Sequence, residues 1–269
     1  MSANPARIVV GVNIISSIKN SIVRKTVNID SDQWVYNTAG HGEKLILLHG
    51  FGASKESWND ILPFLAENYS IVAVDIPGHG EISKNINSNY SIDTQLLRLN
   101  DFIKRLGLAS FHIAGNSMGG AIAGAYSARY PSKVKSLWLI DPAGVKSSKK
   151  SDFEKLYEKT GKNVMVAGTV EEFDRQMTWL YHNPPDISDY MKRGIVDLIG
   201  SDATFANKLY TDLLLNWVPL EEVLTGFEAP VLITWGESDR LTEVSGAAIL
   251  HNVNTIISIM LCLSAMQFV

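Results

Sequence analysis

The sequence has little cysteine and little excess charge, and each shortage excludes a class of protein. Cys262 is the only cysteine, so no disulfide can form within the chain. The 24 basic and 28 acidic side chains leave a formal net charge of −4. Nucleic-acid binding requires a basic surface that this balance does not provide. We therefore expect no nucleic-acid partner.

Long apolar runs and metal-ligand clusters are also missing. The apolar stretch from Ile8 to Ile15 is too short to span a bilayer, because a spanning helix needs about 20 apolar residues. No group of histidines and carboxylates has metal-ligand spacing, so we expect no metal and no other cofactor. Apolar residues recur at Ile14, Ile18 and Ile22, which leaves open a weak contact of the N-terminal segment with a membrane surface. We expect a cytoplasmic protein.

Short apolar runs alternate with longer helix-like segments. The runs are KLILLHG, SIVAVDIPG, SFHIAGNS, SLWLIDPAG, PVLITWGESD and NTIISIM, preceded by a predicted hairpin over TVNIDSDQWVYNTAG. Runs that are apolar on both faces are typical of strands buried in a parallel sheet. Helices are predicted over SKESWNDILPFLAEN, SIDTQLLRLNDFIKRLG and MGGAIAGAYSARYP. This order predicts an α/β fold with a mostly parallel sheet and helices on both faces.

The longest gap between predicted strands covers residues 145–229. Its four helix-like segments make it longer than a crossover connection requires. We expect residues 145–229 to form a helical cap on a discontinuous core of residues 1–144 and 230–269. Some apolar cap residues are suited either to contact an acyl chain or to hold the cap on the core: Met177, Trp179, Leu180, Tyr181, Leu213 and Leu214.

One serine stands between glycines where a predicted strand ends. Gly115-Asn116-Ser117-Met118-Gly119 matches G-x-S-x-G, with a strand before it and a helix of small residues after it. Glycine suits the flanks of such a tight turn, because a side chain there would clash. The pattern predicts that Ser117 is a nucleophile exposed above the sheet. Its oxyanion hole needs two backbone N–H groups, which Met118 and Phe51 are expected to supply.

These motifs, in this order from residue 44 to residue 250, resemble the α/β-hydrolase superfamily. Within it, the chain is similar to monoacylglycerol lipases and esterases. The resemblance implies an acyl-serine mechanism with Ser117 as nucleophile and with the Phe51 and Met118 amides as oxyanion hole. It also implies that Asp239, after VLITWG, is the acid of the catalytic triad.

Other carboxylates are weaker alternatives for the acid. Glu237 lies in the same predicted loop as Asp239. Asp141 ends an earlier strand, at a position where some relatives place the acid. Asp75, in VDIPGHG, is expected to shape its own loop. Asp239 therefore remains the predicted acid.

The sequence has no histidine where the resemblance places the catalytic base. The family carries that histidine after the last strand, and here Ser264 stands 25 positions beyond Asp239. A hydroxyl has no useful basicity near neutral pH, so Ser264 is no substitute. We expect a truncated or frameshifted C-terminus and an impaired activity in this chain.

The six histidines of the chain do not fill the gap by topology. His49 is expected to brace the oxyanion loop, the segment after the strand KLILL that contains Gly50 and Phe51. His112 is expected to lie in the core. His251 is predicted on a helix outside the sheet. The remaining three are placed in the hairpin region, in the loop after Asp75 and in the cap, where His182 could reach a substrate: His41, His79 and His182.

Three functions stay open at this stage. The first is hydrolysis of a small-molecule ester, with short- to medium-chain esters or monoacylglycerols as the expected substrates. The second is hydrolysis of a carbon–carbon bond in ring-cleavage products, which requires cationic groups for the substrate carboxylate, and the sequence places none. The third is a non-catalytic protein that binds a small molecule. Serine at the turn argues against dehalogenases and epoxide hydrolases, which attack with a carboxylate.

Overall fold

The computed structural model describes residues 21–199, 203–215, 217, 219–253 and 257–262. Among these residues, eight strands form one sheet in the order β1-β2-β4-β3-β5-β6-β7-β8. The strands are β1 (Val23–Ile29), β2 (Asp32–Ala39), β3 (Glu43–Leu48), β4 (Tyr69–Val74), β5 (Phe111–Asn116), β6 (Val134–Ile140), β7 (Val231–Gly236) and β8 (Ile257–Cys262). Neighbours from β4 to β8 pair in parallel, whereas the β1–β2 and β2–β4 pairs are antiparallel. The predicted α/β fold and its parallel sheet are confirmed.

Helices and short 3₁₀ turns connect the strands. The α-helices are α1 (Leu62–Leu65), α2 (Ile92–Arg105), α3 (Met118–Arg129), α4 (Asp152–Thr160), α5 (Val170–Leu180), α6 (Asp189–Ile199), α7 (Ala203–Leu214), α8 (Leu220–Val223) and α9 (Ser245–Asn252). The 3₁₀ turns are Lys55–Trp58 and Pro131–Lys133. No helix in the described ranges is long and apolar enough to cross a membrane.

One local expectation about the first 70 residues is wrong. The single helix predicted over residues 54–68 is broken into the turn Lys55–Trp58 and α1. Pro63 explains the break, because a longer helix would lose a backbone hydrogen bond there and clash with the preceding turn. Ile22, one of the apolar residues that left a membrane contact of the N-terminal segment open, is buried in the core cluster that also contains Leu45 and Leu47. Residues 1–20, which carry the rest of that segment, lie outside the described residues.

Helix α3 packs closely on the sheet because most residues of its first two turns are small. Gly119, Gly120, Ala121 and Ala123 are all buried. A Cβ at Gly119 would lie 2.2 Å from the carbonyl oxygen of Leu48 on β3. The helix therefore starts directly above the carboxyl ends of the central strands.

The segment between β6 and β7 contains α4 to α8 and supplies most of a small separate core. Leu241, from the loop after β7, completes this core, and its other six buried apolar residues lie in the segment itself: Phe153, Ala167, Phe173, Met177, Leu180 and Val196. Met177 and Leu180 therefore hold the helices together. Trp179 lies against the guanidinium of Arg240, whose Cζ is 4.0 Å from the ring centroid. By contrast, Leu213 and Leu214 of α7 reach the pocket described below.

Candidate active site

Ser117 occupies a strained turn between β5 and α3. Its backbone angles are φ 50° and ψ −114°, a region that non-glycine residues seldom adopt. The flanking glycines make the turn sterically accessible, because a Cβ at Gly115 would lie 2.1 Å from the carbonyl oxygen of Gly119. Strain of this kind clusters at functional sites. The predicted nucleophile turn is thus present in the structure, with Ser117 at its apex.

Backbone hydrogen bonds hold this turn against the loop after β6. The Ser117 N–H donates to the carbonyl of Ile140 at 2.9 Å. In return, the Ala143 N–H donates to the Ser117 carbonyl at 3.1 Å. The position of Ser117 is therefore fixed by the end of β6 and the loop after it, and not by its own turn alone.

The loop after β3 lies beside Ser117. A Cβ built on Gly50 would be 3.6 Å from the Cβ of Ser117. Phe51 follows in this loop, and Met118 is the first residue of α3. Both line the same pocket as Ser117. The two residues predicted to form the oxyanion hole thus lie together at the serine, where a helix N-terminus adds its positive dipole end.

His49 braces the oxyanion loop with both ring nitrogens. Its Nε2 accepts a hydrogen bond from the Ile76 N–H at 3.0 Å, which leaves Nδ1 protonated to donate to the Gly50 carbonyl at 2.8 Å. The ring is fully buried, and this burial lowers the pKa of His49. The imidazole is therefore neutral and committed to backbone groups, so it is not a free base for Ser117.

The Phe51 side chain is held between two aromatic rings. His79 meets it edge-to-face, with centroids 5.5 Å apart, and Tyr210 of α7 meets it edge-to-face at 5.6 Å. His79 is buried, and its ring also lies edge-to-face with that of His49, with centroids 5.2 Å apart. Burial, and next the neighbouring His49, hold the pKa of His79 well below its usual value. The imidazole of His79 therefore acts as a neutral packing surface for the oxyanion loop.

A buried ion cluster anchors the other end of this loop. The fully buried Lys55 ammonium lies 3.0 Å from a carboxylate oxygen of Asp75 and 2.7 Å from one of Glu81. Asp75 also accepts the N–H groups of Lys55 and Glu81. Desolvation lowers the pKa of Lys55, but the surrounding carboxylates outweigh it and raise that pKa overall. Asp75 thus shapes its own loop, and it also fixes the oxyanion loop.

Asp239 lies in the loop after β7, at the same sheet edge as Ser117. One of its carboxylate oxygens accepts the N–H groups of Leu241 and Thr242 at 2.7 and 3.1 Å, and the other accepts the Thr242 hydroxyl at 2.9 Å. Thr242 lines the Ser117 pocket. Thr242 was not predicted, although aspartate side chains often accept backbone N–H groups of the residues that follow them in a turn. The predicted acid therefore reaches the pocket through its hydrogen bond with Thr242.

The two alternative acids occupy different environments. Glu237 is exposed, and its N–H donates to the carbonyl of Cys262 on β8. Asp141 is completely buried and accepts the Gly236 N–H at 2.7 Å, which joins the ends of β6 and β7. This geometry favours a sheet-joining role for Asp141.

The pocket above Ser117 has a volume of about 290 Å³. Its lining is mostly apolar: Phe51, Met118, Pro142, Val145, Phe153, Met165, Tyr210, Leu213, Leu214, Trp217, Trp235 and Leu241. Lys146, Glu154 and Glu243 also line it, so one cation that the sequence did not place lies at the pocket. The volume is just below the range of about 300–1,000 Å³ for small-molecule pockets. An acyl chain of modest length suits this space.

None of the chain's six histidines, all of which lie in the described ranges, lines this pocket. His41, His182 and His251 are exposed, the last of them on α9. His112 was predicted to be a core residue, and this is wrong. It is half-buried at the opposite edge of the sheet, where its nitrogens lie 2.7 Å from the Ser136 hydroxyl and 2.8 Å from Glu43. Ser264 lies outside the described residues.

His112 is also too distant to serve Ser117. It stands five residues earlier on the same chain, and β5 runs straight between them. An extended strand of that length spans about 16 Å at roughly 3.3 Å per residue. His112 therefore stabilises the amino edge of the sheet through Glu43, whose pKa is lowered to about 2 by the hydrogen bond from Lys135 and next by that with His112.

The fold and site geometry define a class of protein that comparison with known families confirms. A family profile described as "alpha/beta hydrolase fold" matches residues 44–253. The chain therefore belongs to the α/β-hydrolase fold family. No cluster of three or more metal-ligating side chains occurs among the residues described.

Named relatives and a solved structure extend the comparison. Human "Monoacylglycerol lipase ABHD6" is 33% identical over 221 residues, which cover 78% of this chain and 66% of that protein. The chain thus spans slightly less than two thirds of that relative. "Lipase 1" of Psychrobacter immobilis is 32% identical over 243 residues, with coverages of 84% and 72%. The crystal structure of a bacterial membrane phospholipase A superposes with a TM-score of 0.91 at 32% identity, over 96% of this chain and 83% of that chain.

Proposed function

We propose that the protein is a carboxylic-ester hydrolase that attacks its substrate with Ser117. The observation that carries the proposal is the strained serine turn at the opening of an apolar pocket, with Phe51 and Met118 beside it. Backbone N–H groups aimed at a developing oxyanion are among the largest single contributions to acyl transfer. The relatives named as lipases support the ester as substrate class.

In this mechanism, the Ser117 oxygen attacks the ester carbonyl, and the Phe51 and Met118 amides stabilise the resulting oxyanion. The C–O bond of the ester breaks, and the alcohol leaves with the proton that the Ser117 hydroxyl has given up. Water then adds to the acyl-serine, which releases the carboxylic acid and restores the Ser117 hydroxyl. Asp239 would orient an imidazolium, as the acid of a catalytic triad does. No histidine of this sequence lines the pocket, so we expect slow turnover from the chain of 269 residues.

Short- to medium-chain esters and monoacylglycerols are the proposed substrates, because the pocket is small and mainly apolar. Lys146 is a cation of the kind that a carbon–carbon bond hydrolase would need for its substrate carboxylate. However, Glu154 and Glu243 line the same pocket and offset its charge. We therefore favour neutral esters. A cytoplasmic location and a membrane contact through the N-terminal segment remain predictions.

A fluorophosphonate probe tests the proposal, since it labels a serine only where the site activates that hydroxyl. We expect weak labelling of the native chain, increased by added imidazole and abolished in Ser117→Ala. Ser127→Ala is the matched control, because Ser127 is buried in α3 and its hydroxyl donates to the Ala123 carbonyl. Labelling that persists in Ser117→Ala would refute the assignment of the nucleophile.

A further inference from the structure

One wall of the pocket is made by an indole ring that lies directly on a glycine. Gly144 has φ +95°, and a Cβ built on it would lie 2.1 Å from Nε1 of Trp217 and 2.6 Å from Cε2. The indole therefore fills the space that any other side chain at position 144 would need. Both residues line the pocket together with Ser117. Trp217 thus narrows the same cavity that the nucleophile faces.

The glycine that carries this indole is tied to the nucleophile turn. The N–H of Ala143, its neighbour, donates to the Ser117 carbonyl at 3.1 Å. The Gly144 carbonyl accepts the N–H of Leu220, the first residue of α8, at 2.9 Å. The indole therefore rests on a loop segment whose position relative to Ser117 is set by the backbone.

Two further bonds stiffen the same loop. The carboxylate of Glu221 in α8 accepts the N–H groups of Lys146 and Ser147 at 3.3 and 2.7 Å. Leu220 packs on α3, where a Cβ at Gly124 would lie 2.7 Å from its Cδ2. A wall on a stiff support excludes ligand atoms sharply, whereas a wall on a loose loop would yield to them.

We infer that Trp217 is a specificity-determining residue that limits the length of the acyl chain the pocket accepts. The inference rests on the proposed ester-hydrolase function and adds a substrate limit to it. Each methylene that enters an apolar pocket tightens binding about fourfold. A methylene that meets the indole instead gains nothing, so affinity stops rising with chain length at that point.

Binding of straight-chain carboxylates tests this inference without requiring turnover. The series from hexanoate to tetradecanoate is titrated calorimetrically into the native chain and into Trp217→Leu and Trp217→Phe. In the native chain, affinity is expected to rise with length and then level off. The levelling point is the chain length beyond which affinity no longer rises. In Trp217→Leu it is expected to increase by about two methylenes, so that this variant binds the longer carboxylates about fifteenfold more tightly than the native chain does.

Two comparisons separate this effect from a general loss of structure. Trp217→Phe keeps a ring on Gly144, so the levelling point is expected to increase by less than in Trp217→Leu. If Trp217→Leu does not fold, Trp217→Phe provides the test. Trp179→Leu removes a tryptophan that packs on Arg240 outside the pocket lining, and the length profile is expected to stay unchanged.

The outcomes distinguish the two levels of the proposal. An unchanged levelling point in both Trp217 variants, or equal weakening at every chain length, would overturn the assignment of Trp217 and leave the esterase proposal intact. Failure of the native chain to bind any of the carboxylates would overturn the acyl-binding pocket and the role of Trp217 in it, whereas the esterase proposal is decided separately by fluorophosphonate labelling of Ser117.

Discussion

Removal of the buried Lys55 ammonium is expected to destabilise the fold strongly. Lys55 and Asp75 are both completely buried, and their charged groups are 3.0 Å apart. In Lys55→Met, the Asp75 carboxylate keeps two backbone N–H donors but loses its buried counter-charge. Breaking a buried ion pair from one side costs about 3–5 kcal/mol in unfolding free energy.

Urea unfolding followed by circular dichroism measures this loss. At a slope of about 3 kcal/mol per molar, the expected loss lowers the urea midpoint by about 1–1.7 M. The matched control is Lys104→Met, which breaks an ion pair to Asp101 that is exposed on both sides. That change is expected to cost less than about 1 kcal/mol.

A double variant tests the reason for the loss. Lys55→Met with Asp75→Asn removes both charges, while the amide oxygen of Asn can still accept the backbone N–H of residue 55. Stability is expected to recover by at least half relative to Lys55→Met. A loss below about 1 kcal/mol in the single variant, or a double variant less stable than the single one, would refute the charge-pair explanation.

Three further predictions concern the turn, the buried histidines and the oxyanion loop. Gly119→Ala places a Cβ 2.2 Å from a β3 carbonyl oxygen and is expected to lower the free energy of unfolding by at least about 1–3 kcal/mol in the same urea assay. Gly168→Ala, whose Cβ would have no close contact, is expected to leave the free energy of unfolding nearly unchanged. His49 and His79 have lowered pKa values in the folded state, so the unfolded chain binds protons more readily and acid favours unfolding. The free energy of unfolding is therefore expected to be constant above the ordinary histidine pKa of about 6.5 and to fall below it. The expected slope reaches about 2.7 kcal/mol per pH unit when both histidines take up a proton on unfolding. A flat profile between neutral and mildly acidic pH would contradict this. Tyr210→Leu removes the aromatic ring that packs on Phe51 and is expected to slow fluorophosphonate labelling of Ser117 severalfold. Tyr210→Phe keeps that ring and is expected to keep the native rate. Equal rates in both variants would exclude a positioning role for Tyr210.

The elements that the sequence predicted well are those with local signals. The strands are short apolar runs, and the hairpin β1–β2 turns where Asp30 and Asp32 are placed. Gly115 is a local signal of this kind for the Ser117 turn, because the clash that it avoids is with Gly119, four residues away, whereas the clash that Gly119 avoids is with Leu48 on β3. Local patterns of this kind carry their structural consequence with them.

The features that the sequence did not reveal depend on long-range contacts. Burial of Lys55 requires Asp75 and Glu81, which are 20 and 26 positions away. Trp217 meets Gly144 only because α8 and the loop after β6 are hydrogen-bonded together. His112 lies at the sheet edge and not in the predicted core, because its ring is hydrogen-bonded to Glu43 and Ser136 on neighbouring strands. None of these partners is visible in a window of neighbouring residues.

The rate of p-nitrophenyl butyrate hydrolysis, with and without imidazole, tests most directly whether Ser117 is a nucleophile that lacks a histidine base. Removal of the triad histidine costs about a millionfold in a serine hydrolase, so the native chain alone is expected to be as slow as Ser117→Ala. Added imidazole is expected to accelerate the native chain well beyond its effect on Ser117→Ala. Equal acceleration of both proteins would contradict Ser117 as the nucleophile. A fast rate without imidazole that disappears in Ser117→Ala would contradict the missing base.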